Sequence, residues 1–490
     1  MQNHLLSWIV FTPLIGALAV VLTPKPETGR IKWIALAAAA LTGVFTLAAF
    51  LRFDKALSGF QLVEKTLWIP PLNVHYFLGT DGISLPMIVL TALVSILACI
   101  ASFGIKEREK EYYALFLLLE TGMLGTFLAL DLLVFYVFWE VVLIPMYFLI
   151  GIWGGARKEY AALKFFLYTL AGSLFMLIGI LALYFKSMPH TFDLTQINPA
   201  AFTLKFQKAL FFTFFLGFAV KVPIWPFHTW LPDAHVEAPT PISVILAGVL
   251  LKMGTYGFLR FSYPLAPDAA AKFAPFMAVL ALIGIIYGGF VALAQKDFKK
   301  MVAYSSVSHM GFVILGLAAL NSAGFSGAML QMFNHGIITS GLFLLVGVLY
   351  DRAHTRDMTA FGGLAAQLPL YSGILIFFSM ASLGLPGLAG FISEFLVLIG
   401  GFEYNRLAAG LASIGIFLAA AYLLLMVRRV LFGPANLKWQ GLAEINRREL
   451  VTLVPLMILI VLFGIFPQLI LDYMTPTLDS LLTHMEGIFA

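Results

Sequence analysis

The amino-acid sequence is dominated by a succession of apolar runs, each close to the ~20 residues that a helix needs to cross a bilayer. Hydrophobic residues make up 61% of the chain and charged residues only 11%, whereas globular water-soluble domains carry about 25% charged residues. The sequence does not show the short alternating segments that are typical of a membrane β-barrel. We therefore predict an all-α polytopic membrane protein.

Fourteen membrane-spanning helices are predicted from apolar runs that are bounded by charges or turn residues. The predicted spans are 4–23, 33–51, 84–104, 112–130, 132–152, 163–185, 207–227, 238–259, 274–294, 301–319, 326–349, 368–400, 408–427 and 451–474. The longest connections, at 52–83, 186–206 and 428–450, are too short and too apolar to form a separate soluble domain.

The orientation of these spans is predicted from the distribution of lysine and arginine over the loops. If the N-terminus faces outward, the inside loops hold 19 of these residues and the outside loops hold nine. Cytoplasmic loops carry the excess of positive charge in membrane proteins. We therefore expect both termini on the outer side of the membrane.

An internal repeat is predicted from two interrupted spans. Span seven contains Pro223 in the run VKVPIWPF, and span twelve contains Pro386 in the run LGLPGLAGF. Each is the fourth helix of a five-helix block, and an odd number of helices makes the second block an inverted copy of the first. Paired broken helices in inverted repeats indicate an ion path in transporters, although proline and glycine are also simply commoner in membrane helices. The predicted segments are 1–111 (helices 1–3), 112–262 (first repeat), 263–432 (second repeat) and 433–490 (cytoplasmic loop and helix 14).

Four charged residues lie inside otherwise apolar spans: Glu140, Lys221, Lys252 and Glu394. A charge at the centre of a membrane helix costs roughly 2.5–3.5 kcal/mol on the insertion scale, so such residues usually face a wet interior and move or bind ions. Burial disfavours the charged form of an ionisable group and an opposite charge restores it, so a lysine with a movable carboxylate partner would be a switchable proton site. The alternative is a static Glu–Lys pair that locks two helices together.

Four histidines in or beside the same spans are candidates for a proton relay, because imidazole exchanges protons near neutral pH. They are His228, His235, His309 and His335. Each of them is alternatively a hydrogen-bonded packing residue. The spacing of His, Asp and Glu predicts no metal site, and the single Cys99 excludes disulfides, iron–sulfur clusters and thiolate metal sites in this chain. The sequence also lacks a Gly-rich nucleotide fingerprint.

Several long motifs resemble the antiporter-like membrane subunits of respiratory complex I. They are FWEVVLIPMYFLIGIWG, AVKVPIWPFHTWLPDAHVEAPTPISVILAGVLLKMGTYG, VAYSSVSHMGFVILG, MFNHGIITSGLFLLVGVLYDR and LGLPGLAGFISEF. The match is close over about 112–432. The run GFISEF places Glu394 where the L and N types of this family carry lysine and the M type carries glutamate. The chain therefore resembles the M-type subunit of a proton-pumping NADH:quinone oxidoreductase.

The resemblance implies one proton channel in this chain and assigns roles along it. Glu140 would pair with Lys221 and tune its proton affinity, and Lys221 would be the proton site of the first half. Lys252 would connect along the middle of the membrane to Glu394, the second-half site and exit gate. His309 and His335 would lie near the path, His228 and His235 would belong to the entry side or the link, and Pro223 and Pro386 would supply the broken helices.

The resemblance also implies that the redox chemistry belongs to partner subunits. NAD, FMN, iron–sulfur clusters and quinone would be bound there, and no cofactor is expected in this chain. The expected partners are the other membrane subunits of complex I, including the L- and N-type paralogues, and lipids, with no nucleic acid. The expected location is a bacterial inner (plasma) membrane. Two alternatives stay open: a subunit of a multisubunit cation/proton antiporter, or of a photosynthetic NDH-type complex.

Overall fold

A computed structural model describes the backbone of residues 4–489 and the side chains of residues 4–485. The helices and strands follow the chain as α1 (Leu5–Leu22), α2 (Thr28–Arg52), β1 (Gln61–Ile69), β2 (Val74–Thr80), α3 (Ser84–Ala101), α4 (Glu109–Leu128), α5 (Leu132–Val141), α6 (Leu143–Trp153), α7 (Lys158–Lys186), α8 (Leu204–Lys221), α9 (Trp230–Glu237), α10 (Thr240–Ile245), α11 (Leu251–Gly257), α12 (Tyr263–Leu265), α13 (Pro267–Leu293), α14 (Phe298–Ala318), α15 (Ser322–Ala353), α16 (Leu364–Gln367), α17 (Pro369–Ser382), α18 (Ala389–Tyr404), α19 (Arg406–Leu431), α20 (Arg447–Ile465) and α21 (Gln468–Phe489). Two π-helical segments, Leu246–Leu250 and Phe258–Ser262, join α10, α11 and α12 into one span.

The fold is mostly helical, as predicted, and the described residues include eleven helical spans that are long and apolar enough to cross a membrane. The eleven do not include α4, α8, α17, α18 or α21. Predicted spans seven and twelve are both interrupted. Span seven contains α8, of 18 residues, and runs toward α9, of 8 residues, whereas span twelve is divided into α17, of 14 residues, and α18, of 16 residues. Each piece is therefore short for a membrane-spanning helix.

A β-hairpin corrects the prediction of an entirely helical chain. Strands β1 and β2 pair antiparallel within the connection 52–83, which the sequence analysis treated as a loop. The chain reverses through Pro70–Leu72 and Asn73, whose φ of +51° lies in the left-handed region that asparagine tolerates. Most side chains of β1 are exposed, so the strand lacks the half-buried alternation that would have revealed it.

Helix starts are fixed by side-chain caps that the sequence supplies at the span boundaries. Asp131 accepts hydrogen bonds from the N–H groups of Leu133 and Val134 at the start of α5. Asn446 and Glu449 form a capping box at the start of α20. Such caps satisfy N–H groups that have no partner within the helix, and each typically stabilises a helix by about 1 kcal/mol.

The chain folds into two compact units. The first unit contains the chain up to Pro223, Val249–Ala274 and the chain from Asp472 onward, and the second unit contains Ile224–Gly248 and Pro275–Leu471. In the second unit α15 packs closely against α18, because a Cβ atom at Gly327 would lie only 2.6 Å from the backbone nitrogen of Val397. In the first unit Gly125 of α4 packs directly on the ring of Phe138.

The spans differ strongly in burial. In span Thr240–Leu265 and in helix α15, every residue of the most apolar segment is buried. In α2 and α20, only 33% and 28% of the residues in the most apolar segment are buried. A membrane helix that is buried on all sides contacts protein in every direction. Polar residues of α15, including Gln331 and His335, are therefore enclosed by protein.

Candidate functional site

The first unit contains Lys221 at the last residue of α8, where Pro223 interrupts span seven. Proline has no backbone N–H and ends the hydrogen-bond ladder of a helix. The Lys221 side chain is buried, with 1% of its surface exposed. Its Nζ atom has no hydrogen-bond partner among the described residues and lies 5.3 Å from the centre of the Trp139 ring and 5.7 Å from that of Phe165. Aromatic faces attract a cation at these distances without accepting a classical hydrogen bond.

Glu140 lies on α5 and is the carboxylate that acts electrostatically on Lys221. The hydroxyl groups of Ser173 and Tyr136 lie beside its carboxyl group, and its buried Oε1 atom has no hydrogen-bond partner among the described residues. Within residues 4–485, Glu140 and Lys221 do not form an ion pair within 4 Å. The two groups influence each other across a gap, with the lysine left without a fixed acceptor.

Lys252 lies on α11, between the two π-helical segments, and is fully buried. Its helix packs almost backbone to backbone on α8, since a Cβ atom at Gly254 would lie 2.8 Å from the carbonyl oxygen of Phe218. The first unit therefore holds the predicted Lys252 and Lys221 on two helices in close contact. π-Helical turns inside α-helices are frequent at functional sites.

The second unit contains a closed polar network around Glu394 of α18. The Oε1 atom of Glu394 lies 2.7 Å from Nδ1 of His309 on α14 and accepts a hydrogen bond of 2.9 Å from Nε2 of Gln331 on α15. All three side chains are buried. A carboxylate and an imidazole at this distance can exchange a proton directly, because both groups bind protons reversibly.

Residues that the sequence analysis did not identify complete this network. Ser393 donates to Oε1 of Gln331 at 2.5 Å and so fixes the orientation of the amide. On the far side of the imidazole, the hydroxyl groups of Tyr422 and Ser382 lie 3.2 Å and 3.4 Å from Nε2 of His309. Serine, glutamine and tyrosine carry no charge, so only their polarity inside an apolar span marks them in the sequence.

The network encloses a small cavity. The ring of His335 lies 5.8 Å from that of His309, and both histidines line a cavity of about 10 Å³ together with Gln331, Ser382 and Glu394. A single water needs roughly 10–15 Å³ and two to four polar partners, and this cavity supplies both.

The other two predicted histidines pack against aromatic rings of the second unit. His228 meets Tyr287 edge-on, with ring centres 5.2 Å apart, and His235 stacks on Phe343 at 4.5 Å. Both side chains are buried. These contacts agree with the packing interpretation of each residue and leave its imidazole inside the protein.

The second helix break lies between α17 and α18 and contains Pro386. Gly384 and Gly387 adopt φ angles of +84° and +89°, which glycine reaches without strain. A Cβ atom at Gly384 would lie 3.9 Å from Oε2 of Glu394, so the carboxyl group faces the break. Leu385, Pro386 and Gly387 are exposed, in contrast to the buried network beside them.

Two family models match this chain. The model described as NADH:quinone oxidoreductase/Mrp antiporter, TM, matches residues 129–432, and the model described as NADH-ubiquinone oxidoreductase chain 4, amino terminus, matches residues 33–130. The chain is 45% identical over 504 residues to NADH-quinone oxidoreductase subunit M of Rhodobacter capsulatus, and the match covers 99% of this chain and 98% of that protein. The chain belongs to the NADH-quinone oxidoreductase subunit M family.

Solved structures share the fold of this subunit M family member. A chain of respiratory complex I from Thermus thermophilus superimposes with a TM-score of 0.90 at 31% identity, covering 98% of this chain and 99% of that chain. A chain of the Mrp complex from Dietzia sp. has the same fold, with a TM-score of 0.85 at 19% identity over 100% of this chain and 99% of that chain. The resemblance on which the sequence analysis relied is confirmed.

Proposed function

We propose that this chain is the proton-translocating M subunit of an NADH:quinone oxidoreductase, driven by quinone reduction in partner subunits. Family membership supports the assignment, because the subunit M relatives are named as subunits of that enzyme. The chain would act as part of a translocase and bind no redox cofactor itself. NAD, FMN, iron–sulfur clusters and quinone would be bound by partner subunits, among which we expect the L- and N-type paralogues.

The observation that carries this proposal is the buried network around Glu394. In a static ion pair a carboxylate faces a permanent charge, whereas Glu394 is held by an imidazole, which is charged only when protonated, and by a neutral amide, beside space for one water. A proton on either Glu394 or His309 can pass to the other across 2.7 Å. We propose that Glu394 is the second-half proton site and releases protons at the helix break that contains Pro386.

In the first unit we propose that Lys221 is the first-half proton site and that Glu140 sets its proton affinity. The gap between them supports this role, because an attraction between charges that are not in contact changes when either one moves. Lys252, His309 and His335 would carry protons between the two sites, with His228 and His235 on the entry side or in the link. We further propose fourteen spans, inverted repeats at 112–262 and 263–432, and both termini on the periplasmic side of a bacterial inner membrane.

The proposal is tested by proton uptake into inverted membrane vesicles, measured alongside NADH oxidation and the amount of assembled complex. Glu394→Gln keeps the volume of the side chain and removes its titration, and it is expected to block translocation and slow NADH oxidation at normal assembly. Glu403→Gln is the matched control, because Glu403 is an exposed carboxyl group of the same helix. If Glu394→Gln pumps as well as Glu403→Gln, Glu394 is not a proton site.

A cation/proton antiporter subunit is the second candidate, because the matching family model also includes Mrp antiporters. Purification in mild detergent separates the two functions. We expect this chain to co-purify with NADH:quinone oxidoreductase activity. A complex that exchanges sodium for protons and does not oxidise NADH would support the antiporter instead.

A further inference from the structure

The part of the buried span Thr240–Leu265 that belongs to the first unit carries a ladder of polar side chains beyond Lys252. Tyr256 and Arg260 follow Lys252 at intervals of four residues, and each interval rises roughly 6 Å along a helix. Nε of Arg260 donates to the hydroxyl oxygen of Tyr256 at 3.1 Å, and that hydroxyl donates to the carbonyl oxygen of Phe127 at 2.8 Å. Hydrogen bonds therefore join Tyr256 to a permanently charged guanidinium, about one helical turn from the proposed proton group Lys252.

Arg260 is held at the end of this ladder by a buried ion pair. Its Nη2 atom lies 2.5 Å from Oδ1 of Asp81, and both side chains are almost fully enclosed, with 6% and 3% of their surfaces exposed. Asp81 is itself fixed, because the same oxygen accepts hydrogen bonds from the backbone N–H groups of Ile83 and Ser84. The guanidinium is therefore held in place by a carboxylate that is anchored to the backbone.

The same ion pair forms the base of a cavity. Asp81 and Arg260 are among the residues that line a space of about 400 Å³ beside the β-hairpin, which is large enough for several waters. Exposed residues line the cavity as well: Ser58, Thr195, Ser480 and His484. Arg260 thus lines this cavity and is hydrogen bonded to Tyr256, which lies about one helical turn from Lys252.

We propose that Arg260 is an electrostatic barrier that keeps protons in this cavity from reaching Lys252. A guanidinium does not lose its proton in proteins, so it cannot relay one. The guanidinium contacts Asp81 through Nη2 and Tyr256 through Nε, so the positive end of the ion pair lies on the side of Tyr256 and repels hydronium there, as fixed positive charges do in other membrane pores. This role rests on the proposed function, since a barrier is needed only if Lys252 carries protons.

A purely structural ion pair is the alternative. Such a pair would join Asp81, just before α3, to the end of span Thr240–Leu265. Its loss would impair assembly and would not make the assembled complex leak protons. The two roles make different predictions about charge. The barrier needs a positive charge at position 260, whereas a structural pair needs only matched partners.

The test measures the passive decay of a proton gradient in inverted vesicles after NADH is exhausted. Arg260→Gln is expected to speed the decay several-fold and to lower net proton uptake, while NADH oxidation continues and is no longer stimulated by an uncoupler. Arg260→Lys keeps the charge and is expected to decay like wild type. Asp81→Asn combined with Arg260→Gln replaces the ion pair with two neutral hydrogen-bonding groups. If Arg260→Gln alone does not assemble, the decay of the proton gradient is measured in this double variant instead, and it is also expected to be faster than in wild type.

Two further variants control for a general loss of charge and for the route of the leak. Lys55→Met removes an ion pair with Asp472 that is exposed in the same unit, and it is expected to leave the decay unchanged. Lys252→Met combined with Arg260→Gln is expected to slow the decay again if the leak passes through Lys252. Normal decay in the assembled Arg260→Gln complex, or in the neutral double variant, would overturn the barrier. Because passive decay does not depend on pumping, failure of the proposed function would appear separately, as wild-type uptake in Glu394→Gln.

Discussion

The two units hold their buried charges in different ways. In the first unit Lys221 has aromatic rings around it and Glu140 at a distance, with no direct ion pair between them among the described residues. In the second unit Glu394 is in direct contact with His309 and Gln331. No direct contact fixes the distance between Lys221 and Glu140, so a movement of either helix can change their Coulomb attraction. A closed network responds instead when a proton arrives on one of its members.

The largest decrease in pumping that this comparison predicts follows from the loss of the Lys221 amino group. Lys221→Met keeps most of the aliphatic side chain and removes the titratable group that faces the Trp139 and Phe165 rings. Pumping is expected to fall by about tenfold or more, since positioned acid–base groups contribute roughly 10²–10⁴-fold to proton-transfer steps. Vesicle proton uptake at matched assembly measures it.

The control for this variant is Lys208→Met, because Lys208 is an exposed lysine on the same helix. It is expected to pump normally. If the two variants pump equally well, the lysine in the first unit is a packing residue and the contrast between the units has no functional meaning.

Glu140→Gln is expected to have the next largest effect. The amide keeps the contacts to Ser173 and Tyr136 and removes the charge that acts on Lys221 across the gap. Pumping should fall several-fold, less than in Lys221→Met, because the lysine can still bind and release protons. Wild-type pumping at matched assembly would show that the separated pair does not act as a switch.

The charges of both units could be predicted from the sequence, but their arrangement could not. Lys221 and Glu394 are conspicuous because a charge in an apolar run needs a reason to be there. Gln331 and Tyr422 are neutral and separated from Glu394 by 63 and 28 positions in the chain, so only the packing of α15 and α19 brings them to the network. The gap between Glu140 and Lys221 is likewise a property of helix packing and leaves no mark in either segment.

The Arg260–Asp81 pair could not be predicted for a related reason. Asp81 and Arg260 are 179 positions apart, and the predicted span 238–259 ends just before Arg260, which leaves this residue in a predicted outside loop. The structure encloses it instead. A span boundary inferred from charge is therefore least accurate where a buried partner neutralises that charge.

Replacing Glu394 of the second unit with lysine, the residue type of the proposed proton site in the first unit, is expected to lower pumping to an intermediate level. Glu394→Lys keeps an ionisable group but places a donor where Oε1 now accepts from Gln331. Partial pumping is expected, below wild type and above Glu394→Gln. Glu394→Asp shortens the side chain by one methylene and should also fall between those limits. Complete loss in both variants would show that the network requires a carboxylate at the reach of glutamate.

The smallest expected effect tests whether the far side of the His309 imidazole matters. Tyr422→Phe removes a hydroxyl group 3.2 Å from Nε2 of His309 and leaves that of Ser382 at 3.4 Å as a substitute. One neutral hydrogen bond is worth about 1 kcal/mol, which corresponds to roughly a fivefold change at most. Because Ser382 can take over, pumping should fall about twofold, and adding Ser382→Ala should lower it further than the sum of the two single changes. The comparison is a double-mutant cycle on the initial rate of proton uptake. Additive effects would mean that the two hydroxyl groups act independently and that neither replaces the other at Nε2 of His309.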